Sequence, residues 1–172
     1  MSTTTSVPVE EYLHTSYEPD CDYVDGVLIE RNAGELEHSW LQTAIAAHLW
    51  NRRKEWNITP LIEQRVRLRE GKYMAPDVCV LAGPKPKERI ITTPPLIWIE
   101  ILSSEDRPVR VSRKVQDALT FGCPYVWVID PETLESYVAT PEGQKELPNG
   151  VLSIHNTEIQ IPLHRLEEDS IR

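Results

Sequence analysis

The chain has 172 residues, 40% hydrophobic and 26% charged, an ordinary globular composition that can bury a core without disulfide support. Its net charge of -9 argues at first against an anionic partner. No apolar run approaches the roughly 20 residues of a membrane span, and the start lacks the basic and apolar regions of a signal peptide.

The charge is unevenly spread. Residues 51–115 carry 14 Lys and Arg against 8 Asp and Glu; the rest carries 4 against 19. Such asymmetry points to an anionic partner for the basic segment, with scattered solvated charge as the plainer alternative. If the partner is nucleic acid, residues from Arg52 to Lys114 should converge on one cleft and the acidic ends face away. Cys21, Cys79 and Cys123 are far apart and odd in number, which fits reduced thiols in the cytoplasm.

In chain order, "SVPVEEYLH" predicts a short helix over residues 6–14, with Ser6 as N-cap and Pro8 in the first turn. "DYVDGVLIE" predicts a hairpin turning at Asp25-Gly26. "GELEHSWLQTAIAAHLWNRRKEW" predicts a long helix with Trp40, Leu41, Ala44, Ile45, Ala47 and Leu49 as its apolar stripe. In "TPLIEQRVRLREGKYMAPDVCVL", Ile62, Gln64, Val66 and Leu68 share one face of a strand and Glu63, Arg65, Arg67 and Arg69 the other. "EGKY" turns into a strand over Asp77 to Leu81, and "GPKPKERIITTPP" is a loop.

"LIWIEIL" predicts the central strand, the next helix runs from about Val111 to Phe121 and stops at Gly122, and "YVWVID" is another strand. "LESYVA" and "GVLSI" read as a closing hairpin, and "TEIQIPLHRLEE" as a last strand with a frayed acidic tail. The strand–helix–strand step makes "LIWIEIL" and "YVWVID" parallel neighbours. The expectation is one α/β (α+β) domain over residues 1–172, a mixed central β-sheet flanked by helices, with an N-terminal helix and hairpin. The five tryptophans fall mostly in apolar patterns and read as core.

Three polar residues stand in or beside apolar strands. Asp77 opens "PDVCVL", Glu100 lies inside "LIWIEIL", and Lys114 sits on the following helix. Alternation puts Glu100 on the face of Leu96, Trp98 and Leu102. Two carboxylates at matching depths of adjacent strands suit a hard divalent cation, and magnesium needs only one or two of them beside water and phosphate oxygens. A lysine nearby orients or deprotonates water, or stabilises phosphate charge. Together these groups suit metal-assisted phosphodiester hydrolysis.

Each residue also has a plainer role. Asp77 starts a strand or caps a turn. Glu100 forms a buried ion pair with Arg65 or Arg67, an arrangement of weak net stability. Lys114 is a solvated helix residue, and His38 an exposed first-turn histidine or cap partner. The histidines lack zinc spacing, Ser103 and Ser104 lack a nucleophile elbow, and no glycine-rich phosphate loop exists.

The ordered set "PDVCVL", "PPLIWIEILS", the displaced lysine and "GCPYVWVIDP" resembles the Uma family of restriction endonucleases, within the restriction-endonuclease-like PD-(D/E)XK superfamily. The resemblance extends to "DYVDGVLIE" and the first long helix, roughly residues 10–165. It implies a restriction-endonuclease-like core and an endonuclease acting on DNA with Mg²⁺ or Mn²⁺, with a homodimer and no membrane as partners. Asp77 and Glu100 would be the metal-binding carboxylates, Lys114 the catalytic lysine supplied from the helix, and His38 a histidine the family often carries. The chain departs from the pattern at three places. Leu102 stands at the superfamily's lysine position, Ala118 where a tyrosine is usual, and Asp22 where a glutamate is common. Arg110 and Arg113 are neighbours that could serve for Lys114. The alternative function is a catalytically silent nuclease fold that binds nucleic acid or protein. The joint presence of Asp77, Glu100 and Lys114 favours the enzyme.

Overall fold

The computed structural model describes residues 6–32 and 35–168. Helix α1 (Val9–His14) precedes a hairpin of β1 (Cys21–Val24) and β2 (Val27–Glu30). Asp25 and Gly26 take φ of 48° and 89°, the paired left-handed conformation of the two-residue turn that Asp-Gly favours. Ser6 does not cap α1; Pro8 occupies that place without a side-chain bond. Ser6 packs instead so closely on Gly26 that any Cβ there would collide with it.

Helix α2 (Leu36–Arg52) leads to β3 (Ile58–Ile62), β4 (Val66–Arg69), β5 (Lys72–Met74) and β6 (Val78–Ala82). The expected single strand through residues 62–69 is split between two strands in two sheets. Glu63 turns the chain with φ of 48°, so β3 pairs with β6 while β4 pairs with β5. Then follow β7 (Ile97–Ile101), α3 (Pro108–Phe121), β8 (Tyr125–Ile129), β9 (Ser136–Thr140), β10 (Gly143–Glu146), β11 (Val151–Ser153), β12 (Gln160–Pro162) and α4 (Leu163–Glu168). Helix α3 starts earlier than expected because Pro108 fits its first turn, where no N–H partner is needed. Gly122 ends it at φ 110°.

The described residues form three sheets, in the orders β2-β1-β5-β4, β10-β9-β8-β7-β6-β3 and β11-β12. In the six-stranded sheet β7 and β8 run parallel, as the strand–helix–strand step predicts, and the other pairs are antiparallel. "LESYVA" and "GVLSI" do not pair with each other. β9 turns back onto β10, and β11 pairs with β12. β10 is an exposed edge strand of "GQKE", held by backbone bonds without an apolar pattern to announce it. The expected frayed tail begins as α4, anchored by the buried Leu163; residues 169–172 lie outside the described residues, as does Gly34 at the head of the expected long helix.

The six-stranded sheet carries core on both faces, which is why β7 is buried at every position. Ile97, Ile99 and Ile101 face Leu41, Ile45 and Leu49 of α2; Trp98 faces Val111, Val115 and Ala118 of α3. Each large aliphatic side chain so buried contributes about 1.5–3 kcal/mol. Trp98 and Trp127 are core as expected, but Trp40 and Trp50 are not: about half of each is exposed. Among the described residues no helix is long and apolar enough to cross a membrane.

Candidate active site

β6 and β7 pair with Val78 opposite Ile99, so one further step places Asp77 opposite Glu100 where β6 begins and β7 nears its end. Both are buried, each side chain 7% exposed. Asp77 replaces a ladder acceptor with its own side chain: Oδ2 accepts the Ile101 N–H at 2.7 Å. Arg31 Nη2 donates to Oδ1 at 3.0 Å, and His38 Nε2 lies 3.4 Å from Oδ2. Gln42 of α2 donates to the Asp77 carbonyl at 2.9 Å, tying the helix to this strand end.

Glu100 shares its face with Trp98, two residues earlier, as alternation requires. The indole Nε1 donates to Oε1 at 2.8 Å and Lys114 Nζ to Oε2 at 2.8 Å. The alternative pairing with Arg65 or Arg67 is not what forms. Arg65 instead reaches Asp20 at 3.8 Å and lies over the Tyr12 ring. Nor does Arg110 stand in for Lys114: it donates to the Glu30 carbonyl. Arg113 lines a neighbouring pocket. The four residues expected to act together, Asp77, Glu100, Lys114 and His38, therefore all meet at one cleft of about 790 Å³.

The two carboxyls respond differently to burial. Burial pushes Asp77 up, but the His38 hydrogen bond and charge, the Ile101 N–H and Arg31 outweigh it, and Asp77 lies below the usual carboxylate range. Burial pushes Glu100 up; Lys114 opposes this, Asp77 adds to it, and the result is raised. Lys114 is pulled down by burial, yet Glu100, Asp22 and Asp77 hold it above its ordinary value. The pair thus favours the ammonium more than the carboxylate, because Lys114 faces three acids and Glu100 faces a like charge. His38 is also raised: Asp77 outweighs its burial.

Two members of this network have no role in the sequence reading. Arg31 follows β2 directly and bridges Asp77 and Asp20. Asp22 of β1 is buried, accepts the Ala75 N–H at 3.1 Å, and is raised by burial against the charges of Lys114 and Arg31. Asp22 was visible only as a residue at a family position. Arg31 carried no signal, since its contact depends on how the small sheet sits beside the large one.

The rim also differs from expectation. The basic segment does not converge here; of it, only Arg110 and Lys114 line the cleft, whereas Glu18, Asp20, Glu30, Glu63, Glu105 and Asp106 surround it. Arg52 and Arg53 lie over the Trp56 and Trp50 rings, and Arg69 pairs with Asp25. An acid-rimmed cleft concentrates cations and repels phosphate. Among the described residues no group of three or more His, Cys, Asp and Glu is placed to hold a metal ion. Two opposed, buried carboxylates are nonetheless a donor set that fits a hard cation completing its shell with water and phosphate oxygens.

A family model described as "Uma2: Putative restriction endonuclease" matches residues 9–164. The chain belongs to the Uma2 family. A crystal structure from Anabaena variabilis ATCC 29413, described as "a putative nuclease belonging to DUF820", superposes with a TM-score of 0.80. It shares 20% sequence identity and covers 94% of this chain and 98% of the other. At that identity the likeness shows the fold. No curated protein matches. Ala118, where the resemblance leads one to expect a tyrosine, is fully buried under the sheet. Tyr137 lies in the same row across β7, β8 and β9 as Glu100, through Val128. Its hydroxyl is raised by burial and by the Glu100 charge.

Proposed function

We propose that this Uma2-family chain is a divalent-metal-dependent endonuclease that hydrolyses DNA phosphodiester bonds. The reading rests on Asp77 and Glu100, opposed and buried at one strand end, with Lys114 on Glu100. A divalent cation held by these two carboxylates would polarise the phosphoryl oxygen and lower the pKa of bound water. Arg31, His38 and the Ile101 N–H keep Asp77 ionised and aimed into the cleft. Lys114, held above its ordinary value by Glu100, Asp22 and Asp77, stabilises negative charge on the phosphate. Trp98 fixes the other oxygen of Glu100, so the carboxylate enters catalysis already oriented. One domain spans the chain, and its three buried, unpaired cysteines suit a reducing cytoplasm; burial pushes the Cys79 and Cys123 thiols up to about 12.

A silent binding module is the second reading. The observation favouring it is that all four carboxylate oxygens of Asp77 and Glu100 already have partners. Calorimetric titration with Mn²⁺ separates the two. The nuclease reading expects about one ion per chain and at least a tenfold weaker affinity in Asp77→Asn, the loss of one charged ligand. Equal affinities in both proteins, or no binding, leave only the silent module.

A further inference from the structure

Helix α2 carries apolar residues on two opposite faces. Leu41, Ile45 and Leu49 face the core and are buried. Leu36, Trp40, Ala47 and Trp50, with Thr43 between them, recur at alternating steps of four and three on the other side. Leu36 is 73%, Trp40 50% and Trp50 53% exposed. A surface helix needs one apolar stripe; a second with this heptad-like period is the seam by which helices pack on one another.

The seam complements itself. When α2 meets a second α2 antiparallel about Thr43, Trp50 falls opposite Leu36, and Trp40 comes within one residue of the level of Ala47, a large side chain near a small one. Each contact occurs twice, as an isologous two-fold interface requires. The charges agree. Glu35 and Glu37 begin the helix, while Arg52, Arg53 and Lys54 end it against the single acid Glu55. Antiparallel pairing sets each acidic end on a basic end and opposes the helix dipoles; parallel pairing sets like on like. A nucleic-acid strand fits less well. Base-stacking platforms are lined with cations along their length, and here Leu36 and Trp40 lie in the acidic half.

We infer that the outward face of α2 is the contact between two copies of this chain, antiparallel, with Thr43 near the two-fold axis. The inference does not rest on the nuclease reading. His38 and Gln42 line the cleft from the inward side of the same helix, so the paired chains hold their clefts outward at a fixed separation. A helix pair roughly 25 Å long lies at the small end of interface sizes, which makes the dimer reversible and micromolar.

Sedimentation velocity of the full chain from about 1 to 200 μM spans that range. Wild type should shift from monomer toward dimer mass. Ala47→Glu and Trp40→Ala should each weaken dimerisation at least tenfold with unchanged melting curves. Glu37→Lys should also weaken it, because it sets a like charge toward the basic end of the partner helix. The inference is overturned by a wild type that stays monomeric throughout, or by a dimer that neither Ala47→Glu nor Trp40→Ala affects. It is equally overturned if the chain stays monomeric and Trp40→Ala lowers duplex-DNA affinity, which would make the face a nucleic-acid contact.

Discussion

Asp77 and Glu100 stand opposite each other across β6 and β7, and their surroundings drive the two carboxyls apart: Asp77 below the usual range, Glu100 above it. Asp77 takes donors from three elements, whereas Glu100 takes one indole, one ammonium and the repulsion of its neighbour. Paired acids with separated proton affinities are a recurrent mark of chemistry.

The contrast sets opposite consequences for neutral substitutions. Asp77→Asn takes the charged partner from His38 and leaves Arg31 only the half-exposed Asp20, and should cost on the order of 3–5 kcal/mol. Glu100→Gln keeps the shape, removes the repulsion and leaves Lys114 beside Asp22. It should melt at or above the wild-type midpoint without metal, a trade of stability for function. Thermal melts of the two variants check this. A drop in Glu100→Gln as large as that in Asp77→Asn would make Glu100 a structural partner of Lys114 instead.

The same shifts fix a pH dependence. Glu100 and Asp22 have raised folded pKa values, so the stability they confer is complete below the ordinary carboxylate pKa near 4 and is lost as pH rises through the folded value. Asp77 is lowered, so its contribution is present above that ordinary pKa and lost as pH falls through the folded value. Urea titrations across pH should therefore show the advantage of Glu100→Gln over wild type growing from about pH 4 upward. The deficit of Asp77→Asn should shrink below about pH 4. Differences that stay flat with pH would contradict both assignments.

In the proposed nuclease Lys114 acts by charge. Lys114→Met should lower the rate of metal-dependent cleavage by about 10²–10³, the scale of one lost electrostatic donor. Lys114→Arg should keep a measurable part of that rate, because no proton transfer is asked of it. An inactive arginine variant that binds duplex normally would point to a proton-accepting lysine.

If the cleft takes duplex DNA as we propose, its acidic rim should make binding depend on metal. On a phosphorothioate duplex that resists hydrolysis, fluorescence anisotropy should show at least a tenfold gain in affinity with Mg²⁺ over chelator, from removal of phosphate–carboxylate repulsion. In the bound state log K should fall by roughly 0.9 per neutralised phosphate as log salt rises. Equal affinities with and without metal would remove the cation from the interface.

The central sheet and the face of Glu100 were legible because alternation assigns faces within a strand; Asp77 and Lys114 stood out as polar residues beside apolar strands, and His38 entered only through the family resemblance. Glu100 had to share a side with Trp98, and the parallel step from β7 to β8 followed from the helix between them. What was hidden depends on contacts between elements. Asp22 in β1 and Arg31 just after β2 reach the site only once the four-stranded sheet lies beside β6 and β7. The break at Glu63 was masked by alternation that continues across two different sheets. β10 has no apolar residue to reveal it. Trp40 and Ala47 were read into the single apolar stripe of α2, yet they lie on a second, outward stripe with Trp50.

The most direct measurement is cleavage of supercoiled plasmid DNA by the wild-type chain and by Glu100→Gln, each with Mg²⁺ or Mn²⁺ and with chelator. The wild type should nick or linearise the plasmid only when metal is present, and Glu100→Gln, folded and at least as stable, should leave it intact. A plasmid untouched by the wild type with either metal, or cut equally by Glu100→Gln, would contradict the assignment of Asp77 and Glu100 as the metal-holding pair of a nuclease.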